Sequence, residues 1–377
     1  MNKRREFLKT GLMAGLGMPF ISESSAMVSS LQACPEVPNT ASAAAANTRN
    51  FALKNWFWIN PRPGNNEDDI ESFYAKCKKA GFFGVLFESD NEKHFRAAKN
   101  QGLEAHRWIW TTNRGEKTLL ENHPDWYAIN RKGESCVDKP PYVNYYRWLC
   151  PSREEVQQYI VNDMITQLEK DYVEGVHLDY VRYCDVILPV NLWDKYKIVQ
   201  IQELPEYDYC YCDVCKTKFK AWSGIDLDKV TYPEASLSWR QYRYNAITNI
   251  VNKVAVHAKA KGKPLTAAVF PTPEEARRNV RQDWVNWHLD GIFPMIYHGF
   301  YKESVKWIGD AVAEGVRGID GRFPLYAGVF LSDFANLDEL AQGINYALAN
   351  GASGVSLFGR ITDEVLNVIK NVREKQV

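Results

Sequence analysis

The chain has 377 residues, 45% of them hydrophobic and 24% charged, enough apolar material for one large or two ordinary globular domains. Its 46 basic and 46 acidic residues cancel, so no overall field draws it to a polyanion, and nucleic acid is excluded as an expected partner. Aromatic residues make up 13% and cluster at predicted strand ends and in loops, where flat faces with polar edges suit sugar rings; a large core consumes aromatics too.

Residues 1 to about 50 read as a leader rather than as fold. Arg4-Arg5-Glu6-Phe7-Leu8-Lys9, followed by a modest apolar run from Gly11 to Ile21, resembles a twin-arginine export signal. The run is too short to cross a bilayer, so no transmembrane span is expected. Cleavage after Ala26 would leave the small-residue stretch Thr40 to Asn47 as a flexible leader. Leu31-Gln32-Ala33-Cys34 has the look of a lipoprotein cleavage box far from the apolar run, which leaves a lipid anchor at Cys34 as an alternative. A periplasmic or extracellular location is the expectation.

From residue 51 to 377 short β-rich runs alternate with helical stretches eight times. The predicted strands are Trp56 to Asn60, Gly84 to Glu88, Leu103 to Trp110, Gly175 to Tyr180, Leu265 to Phe270, Gly291 to Tyr297, Leu325 to Leu331 and Gly354 to Phe358. Eight such pairs predict a (β/α)8 TIM barrel with long loops after strands 3 and 4. An open doubly wound sheet is the alternative, but no Gly-rich phosphate loop follows the first strand. Ser152-Arg153-Glu154-Glu155 has capping-box spacing, and Ala80-Gly81, Asp290-Gly291 and Asn350-Gly351 fit helix-to-strand turns at the barrel floor.

The fourth strand and its exit, Gly175-Val176-His177-Leu178-Asp179-Tyr180-Val181-Arg182-Tyr183, carry the strongest signal. Alternation puts His177 and Asp179 on one face and Val176 and Leu178 on the other, so an acid stands at the C-terminal end, where a barrel does its chemistry. Asp179 as a mere cap of the following loop is the competing reading. On the third strand His106, Trp108 and Trp110 share a face with a polar base and aromatic walls, although His106 is equally a candidate core histidine. Trp58, Tyr145, Tyr146, Trp148, Tyr180, Tyr297 and Phe358 are candidate sugar platforms, with His298 placed to bond hydroxyls.

Three thiols in Cys210-Tyr211-Cys212-Asp213-Val214-Cys215 are poorly spaced to pair with one another and well spaced to wrap one small cation. Cys184, just past the fourth strand, is the expected fourth ligand of a structural zinc. Disulfides or free thiols are the alternative, and Cys136 with Cys150 could form a separate bridge; Cys77 reads as core. No H-E-x-x-H or similar set supports a catalytic metal of the kind a polysaccharide deacetylase would use.

An upstream Cys followed by C-x-C-x-x-C after the fourth strand resembles the structural zinc site of family 42 bacterial β-galactosidases. Over residues 51 to about 370 the chain is more similar to the family 10-like group of exported bacterial glycosyl hydrolases. The shared motifs are Gly175 to Tyr183, Gln282-Asp283-Trp284, Asp290-Gly291-Ile292-Phe293-Pro294-Met295-Ile296-Tyr297, and Leu149-Cys150-Pro151 onward to Val156. Phe87-Glu88-Ser89-Asp90 and the thiol cluster depart from that pattern. The resemblance implies cleavage of O-glycosidic bonds in an oligo- or polysaccharide, which needs two flanking carboxyl groups. Asp179 is the expected ionised member, with Arg182 and His177 favouring its charge. Asp283, beside Trp284, and Glu88, at the end of the second strand, are the candidate proton donors; Glu274 and Glu275 read as a helix start. The rival from another class is a non-catalytic carbohydrate-binding barrel.

Overall fold

The computed structural model describes residues 51–61 and 69–374; the export signal and Cys34 lie outside them. Eight strands, Asn55–Ile59 (β1), Phe82–Phe87 (β2), Glu104–Trp110 (β3), Gly175–Asp179 (β4), Leu265–Val269 (β5), Gly291–Pro294 (β6), Ala327–Phe330 (β7) and Val355–Phe358 (β8), run parallel in the order β6-β5-β4-β3-β2-β1-β8-β7. Parallel bridges Ile292 to Leu325 and Met295 to Gly328 join the two ends. The sheet therefore curls nearly shut into the expected (β/α)8 barrel, and each strand leads to a helix that packs outside it. No strand end departs from its predicted position by more than three residues.

Period-2 alternation divides the core into two layers. Phe57, Val85, Ala105, Val176, Leu178, Ala267 and Leu357 face outward into the large cluster shared with the helices. Trp56, Trp58, Leu86, Trp108, Ala268, Phe293 and Tyr326 form a separate cluster inside the barrel. Glycines make room for these rings: a Cβ on Gly84 would lie 2.3 Å from the Trp56 ring, and one on Gly175 would lie 2.5 Å from the His106 ring.

Local signals set several helix ends. Pro273 opens helix Pro273–Val280 with the Thr272 hydroxyl capping Glu275 N–H, so Glu274 and Glu275 sit in its first turn, as their sequence setting implies. Asn336 caps helix Leu337–Ala349 in the same way. Gly81 and Gly351 adopt the left-handed φ of a helix-to-strand turn, whereas Gly291 lies within β6. The expected capping box at Ser152 does not form. Helix Glu154–Leu168 begins after Arg153 without a side-chain cap, and the Ser152 hydroxyl is buried rather than turned to the helix N-terminus.

The long loops after β3 and β4 are fastened by buried charge. Arg243, from helix Leu237–Ala260, donates to Asp208 and to the Tyr209 carbonyl. Arg131, from the first loop, lies 3.7 Å from the same carboxylate, and Arg281 bonds Glu203. Removing one member would strand a buried charge, a loss on the order of 3–5 kcal/mol.

Candidate active site

A cavity of about 970 Å³ opens where the strands end. Alternation carries inward-facing residues up to it: Trp58 and Asn60 from β1 and its exit, Glu88 just past β2, Trp108 and Trp110 from β3, Asp179 from β4. Tyr180, Arg182, Ala268, Met295, Tyr297, Phe358 and Arg360 complete the wall. Glu88 and Asp179 are the two carboxylates among these residues.

Asp179 is 7% exposed. Trp108 Nε1 donates to its Oδ2 at 2.9 Å, and the Tyr180 backbone N–H donates to its Oδ1 at 2.6 Å. Burial raises its pKa; the two hydrogen bonds and Arg182 pull it down, Glu88 pushes it up, and the balance leaves it raised to about 6. Near neutral pH the group is mostly ionised. Glu88 is half-buried and accepts from Asn60 Nδ2 on Oε2 at 2.5 Å, while Oε1 has no hydrogen-bond partner among the described residues.

The turn after β4 is strained. Tyr180 holds φ +47°, a region that a bulky aromatic residue rarely adopts, and its ring packs on Trp110 with centroids 4.6 Å apart. That conformation lets the Tyr180 N–H fold back onto Asp179 while its ring lines the cavity. Opposite, Tyr297 stacks on Phe358 at 6.0 Å and 13°. Trp110 and Tyr180 are tilted by 43° and Tyr297 and Phe358 are nearly parallel, and both pairs give the cavity aromatic walls of the kind that suits a flat ligand face.

Several predicted residues occupy other places. His177 and His106 face inward but lie one layer below the cavity and are fully buried. His177 Nε2 accepts from Trp58 Nε1 at 3.1 Å, so its Nδ1 carries the hydrogen toward Thr266 Oγ1 at 2.8 Å. Burial, with His106 adding to it, holds the His177 pKa well below its usual value. His177 is therefore neutral and does not favour the charge of Asp179. His106 bonds Glu104 at 2.7 Å and acts as barrel floor. Arg182 is committed to Asp185 at 2.9 Å, so its pull on Asp179 is secondary.

Asp283 does not line the cavity. Arg277 Nε donates to its Oδ1 at 2.6 Å and Asn286 Nδ2 to its Oδ2 at 2.7 Å, which engages both oxygens at the head of a short 3-10 turn. Its neighbour Gln282 does the positioning, accepting from Phe270 N–H and donating to the Val181 carbonyl. His298 is buried against Phe334 rather than in the wall. Asn60, Met295 and Arg360 were not singled out from the sequence; the alternation that turns Trp56 and Trp58 inward also carries Asn60, and nothing comparable marks Arg360.

The thiol cluster differs from expectation in one ligand. Cys150, Cys210, Cys212 and Cys215 are all buried, with every pair of sulfurs within 4.8 Å; Cys150 lies 3.6 Å from Cys212 and 3.5 Å from Cys215. A tetrahedron of sulfurs about 2.3 Å from a central zinc has edges of about 3.8 Å, whereas a disulfide bond measures about 2.05 Å. The spacing fits a shared cation. Cys184 is not part of it: its thiol is directed to the Asp185 carbonyl, and burial raises its pKa. The Cys136–Cys150 bridge does not form either, since Cys136 donates to the Trp148 carbonyl and Cys150 joins the cluster. Cys150 ends the connection after β3; Cys210, Cys212 and Cys215 lie in the connection after β4, Cys215 in the first turn of its helix Asp213–Ser223, so the cluster clasps the two connections together. Cys77 is buried in helix Ile70–Ala80, as expected of a core thiol.

Among solved structures, the chain is similar to the PgaB (BpsB) glycoside hydrolase domain from Bordetella bronchiseptica, with a TM-score of 0.59 and 9% identity over 85% of this chain and 97% of that one. It is also similar to the catalytic domain of a β-amylase from Paenibacillus polymyxa, with a TM-score of 0.57, 10% identity, and 86% and 99% covered. For a β-galactosidase from the psychrophilic Marinomonas ef1 the TM-score is 0.56 at 9% identity, over 86% of this chain and 60% of that one. At such identities the likeness is one of fold. No curated protein sequence matches significantly. The profile of the Glycosyl hydrolase-like 10 family matches residues 92–314, from the helix after β2 to the helix after β6, and so takes in Asp179 and the whole thiol cluster. The chain belongs to the Glycosyl hydrolase-like 10 family.

Proposed function

We propose that the protein is an exported glycoside hydrolase that cleaves an O-glycosidic bond between Asp179 and Glu88. The observation that carries this reading is the presence of both carboxylates in one aromatic-walled cavity at the C-terminal ends of the strands. Both Asp179 oxygens accept hydrogen bonds, an arrangement that favours the ionised carboxylate against the burial that opposes it. Asp179 therefore supplies negative charge at the anomeric carbon, as nucleophile or as base toward water. Glu88, with Oε1 open, delivers the proton to the leaving oxygen. Trp108 and Trp110 position the ring, and Tyr180, Tyr297 and Phe358 close its flanks.

Cys150, Cys210, Cys212 and Cys215 would hold a structural zinc with no open coordination position, so the metal's contribution is to fix the two loops that border the cavity. The paired arginines Arg4 and Arg5 support export by the twin-arginine route, which carries folded proteins and would let the thiolate site assemble before export. Among the described residues no helix is long and apolar enough to cross a membrane. Reducing-end release from cell-wall glycans and from plant or host oligosaccharides tests the reading. Turnover should fall by orders of magnitude in Asp179→Asn and Glu88→Gln while ligand binding persists. Binding without turnover in the native protein would identify a carbohydrate-binding barrel instead.

A further inference from the structure

Beside the main cavity lies a smaller hollow of about 150 Å³ that shares Arg182, Met295 and Tyr297 with it. Tyr142, Tyr146, Tyr196 and Tyr301 form much of its wall, and Asp185 stands at its base beside Arg182. We propose that this hollow is a second sugar subsite, so that the substrate is a glycan chain spanning both cavities rather than a single-sugar glycoside. The inference rests on the sugar-binding reading of the main cavity and extends it to chain length.

The polar groups are built in and incompletely used. Arg182 and Asp185 are 5% and 3% exposed. Arg182 Nη1 serves both the Tyr183 carbonyl and Asp185 Oδ2, at 2.9 Å each. Arg182 Nε and Nη2 and Asp185 Oδ1 have no hydrogen-bond partner among the described residues. A buried pair with donors and an acceptor left over matches neighbouring sugar hydroxyls, which both give and take hydrogen bonds. Because the pair is neutral as a unit, it favours a hydroxyl-rich ligand over an anion.

The walls are preformed. Tyr142 stacks on Tyr207 at 4.2 Å and 8°, donates to the Asp185 carbonyl at 2.8 Å and accepts from Gln200 at 2.8 Å. Little ordering remains for a ligand to impose. A cavity of about 150 Å³ is of the size that takes up a single benzene-sized ring, which limits the hollow to one ring of a chain.

Calorimetric titration with cello-, xylo- and chito-oligosaccharides of one to four units, with hydrolysis followed in parallel, tests the subsite in the native protein, Tyr196→Ala and Asp185→Asn. Affinity should climb about tenfold when the chain gains the ring that reaches the hollow, and both variants should lose that gain. A flat dependence on chain length, a gain that survives in both variants, or no binding by any of these glycans overturns the subsite. Hydrolysis with a flat profile leaves the hydrolase reading standing and removes the subsite. A chain-length gain without turnover does the reverse.

Discussion

Asp179→Asn should make the protein more stable at neutral pH while abolishing its activity. The Asp179 pKa is raised from 3.8 to about 6 in the folded protein, chiefly by burial. A carboxyl that binds its proton more tightly when folded opposes folding whenever it is ionised. Two pKa units correspond to about 3 kcal/mol, fully present above pH 6, shrinking as the pH falls through 6 and gone below about 3.8. The amide removes that burden but offers one acceptor oxygen where the carboxylate offers two, so either Trp108 Nε1 or the Tyr180 N–H loses its partner, at about 1–2 kcal/mol. The net gain is about 1–2 kcal/mol at pH 7.5, a rise in melting temperature of about 2–3 °C. Thermal melts of both proteins from pH 4 to pH 8 measure it. The difference should shift against the variant as the pH drops and only the lost hydrogen bond remains. If the variant is less stable by the same margin at every pH, the carboxylate is not under electrostatic strain and its raised pKa is refuted.

If Asp179 acts in its ionised form, kcat/KM should decline as the pH falls through about 6, and the decline should persist in a variant that perturbs only the proton donor; a loss on the alkaline side of pH 6 would assign it the acid role instead. Metal analysis of the purified protein should find one zinc per chain, retained in Cys184→Ser and lost in Cys150→Ser with a large drop in melting temperature. Asp283→Asn should keep turnover within a few-fold of native, since both its oxygens are engaged by Arg277 and Asn286 outside the cavity; a loss matching that of Asp179→Asn would restore it as a catalytic candidate.

The barrel was legible because each strand announces itself twice, by β-branched and aromatic content and by alternation, and because eight strand–helix pairs leave few ways to fold. Alternation also turned Trp108, Trp110 and Asp179 inward. It does not give depth. His106 and His177 lie on the same inward face as Trp108 and Asp179 and differ from them only in layer, which depends on how the barrel is staggered. The fourth thiol was misassigned because nearness along the chain favoured Cys184, whereas the loop after β3 folds back to bring Cys150 beside Cys212 and Cys215. The Gln-Asp-Trp segment shows the same limit: its sequence setting marks Asp283 as a candidate acid, whereas the fold uses all three residues locally, Gln282 bonding Phe270 and Val181, Asp283 bonding Arg277 and Asn286 outside the cavity, and Trp284 filling the core.

A crystal structure of Asp179→Asn with a bound oligosaccharide tests the central claim most directly. The glycosidic oxygen should lie within hydrogen-bond reach of Glu88, with position 179 facing the anomeric carbon. A carboxyl separation near 5–5.5 Å would then specify retention, and one of about 6.5–9.5 Å inversion. A glycan held elsewhere, or one crossing the cavity with Glu88 turned away from every glycosidic oxygen, would contradict the assignment of these two carboxylates as the catalytic pair.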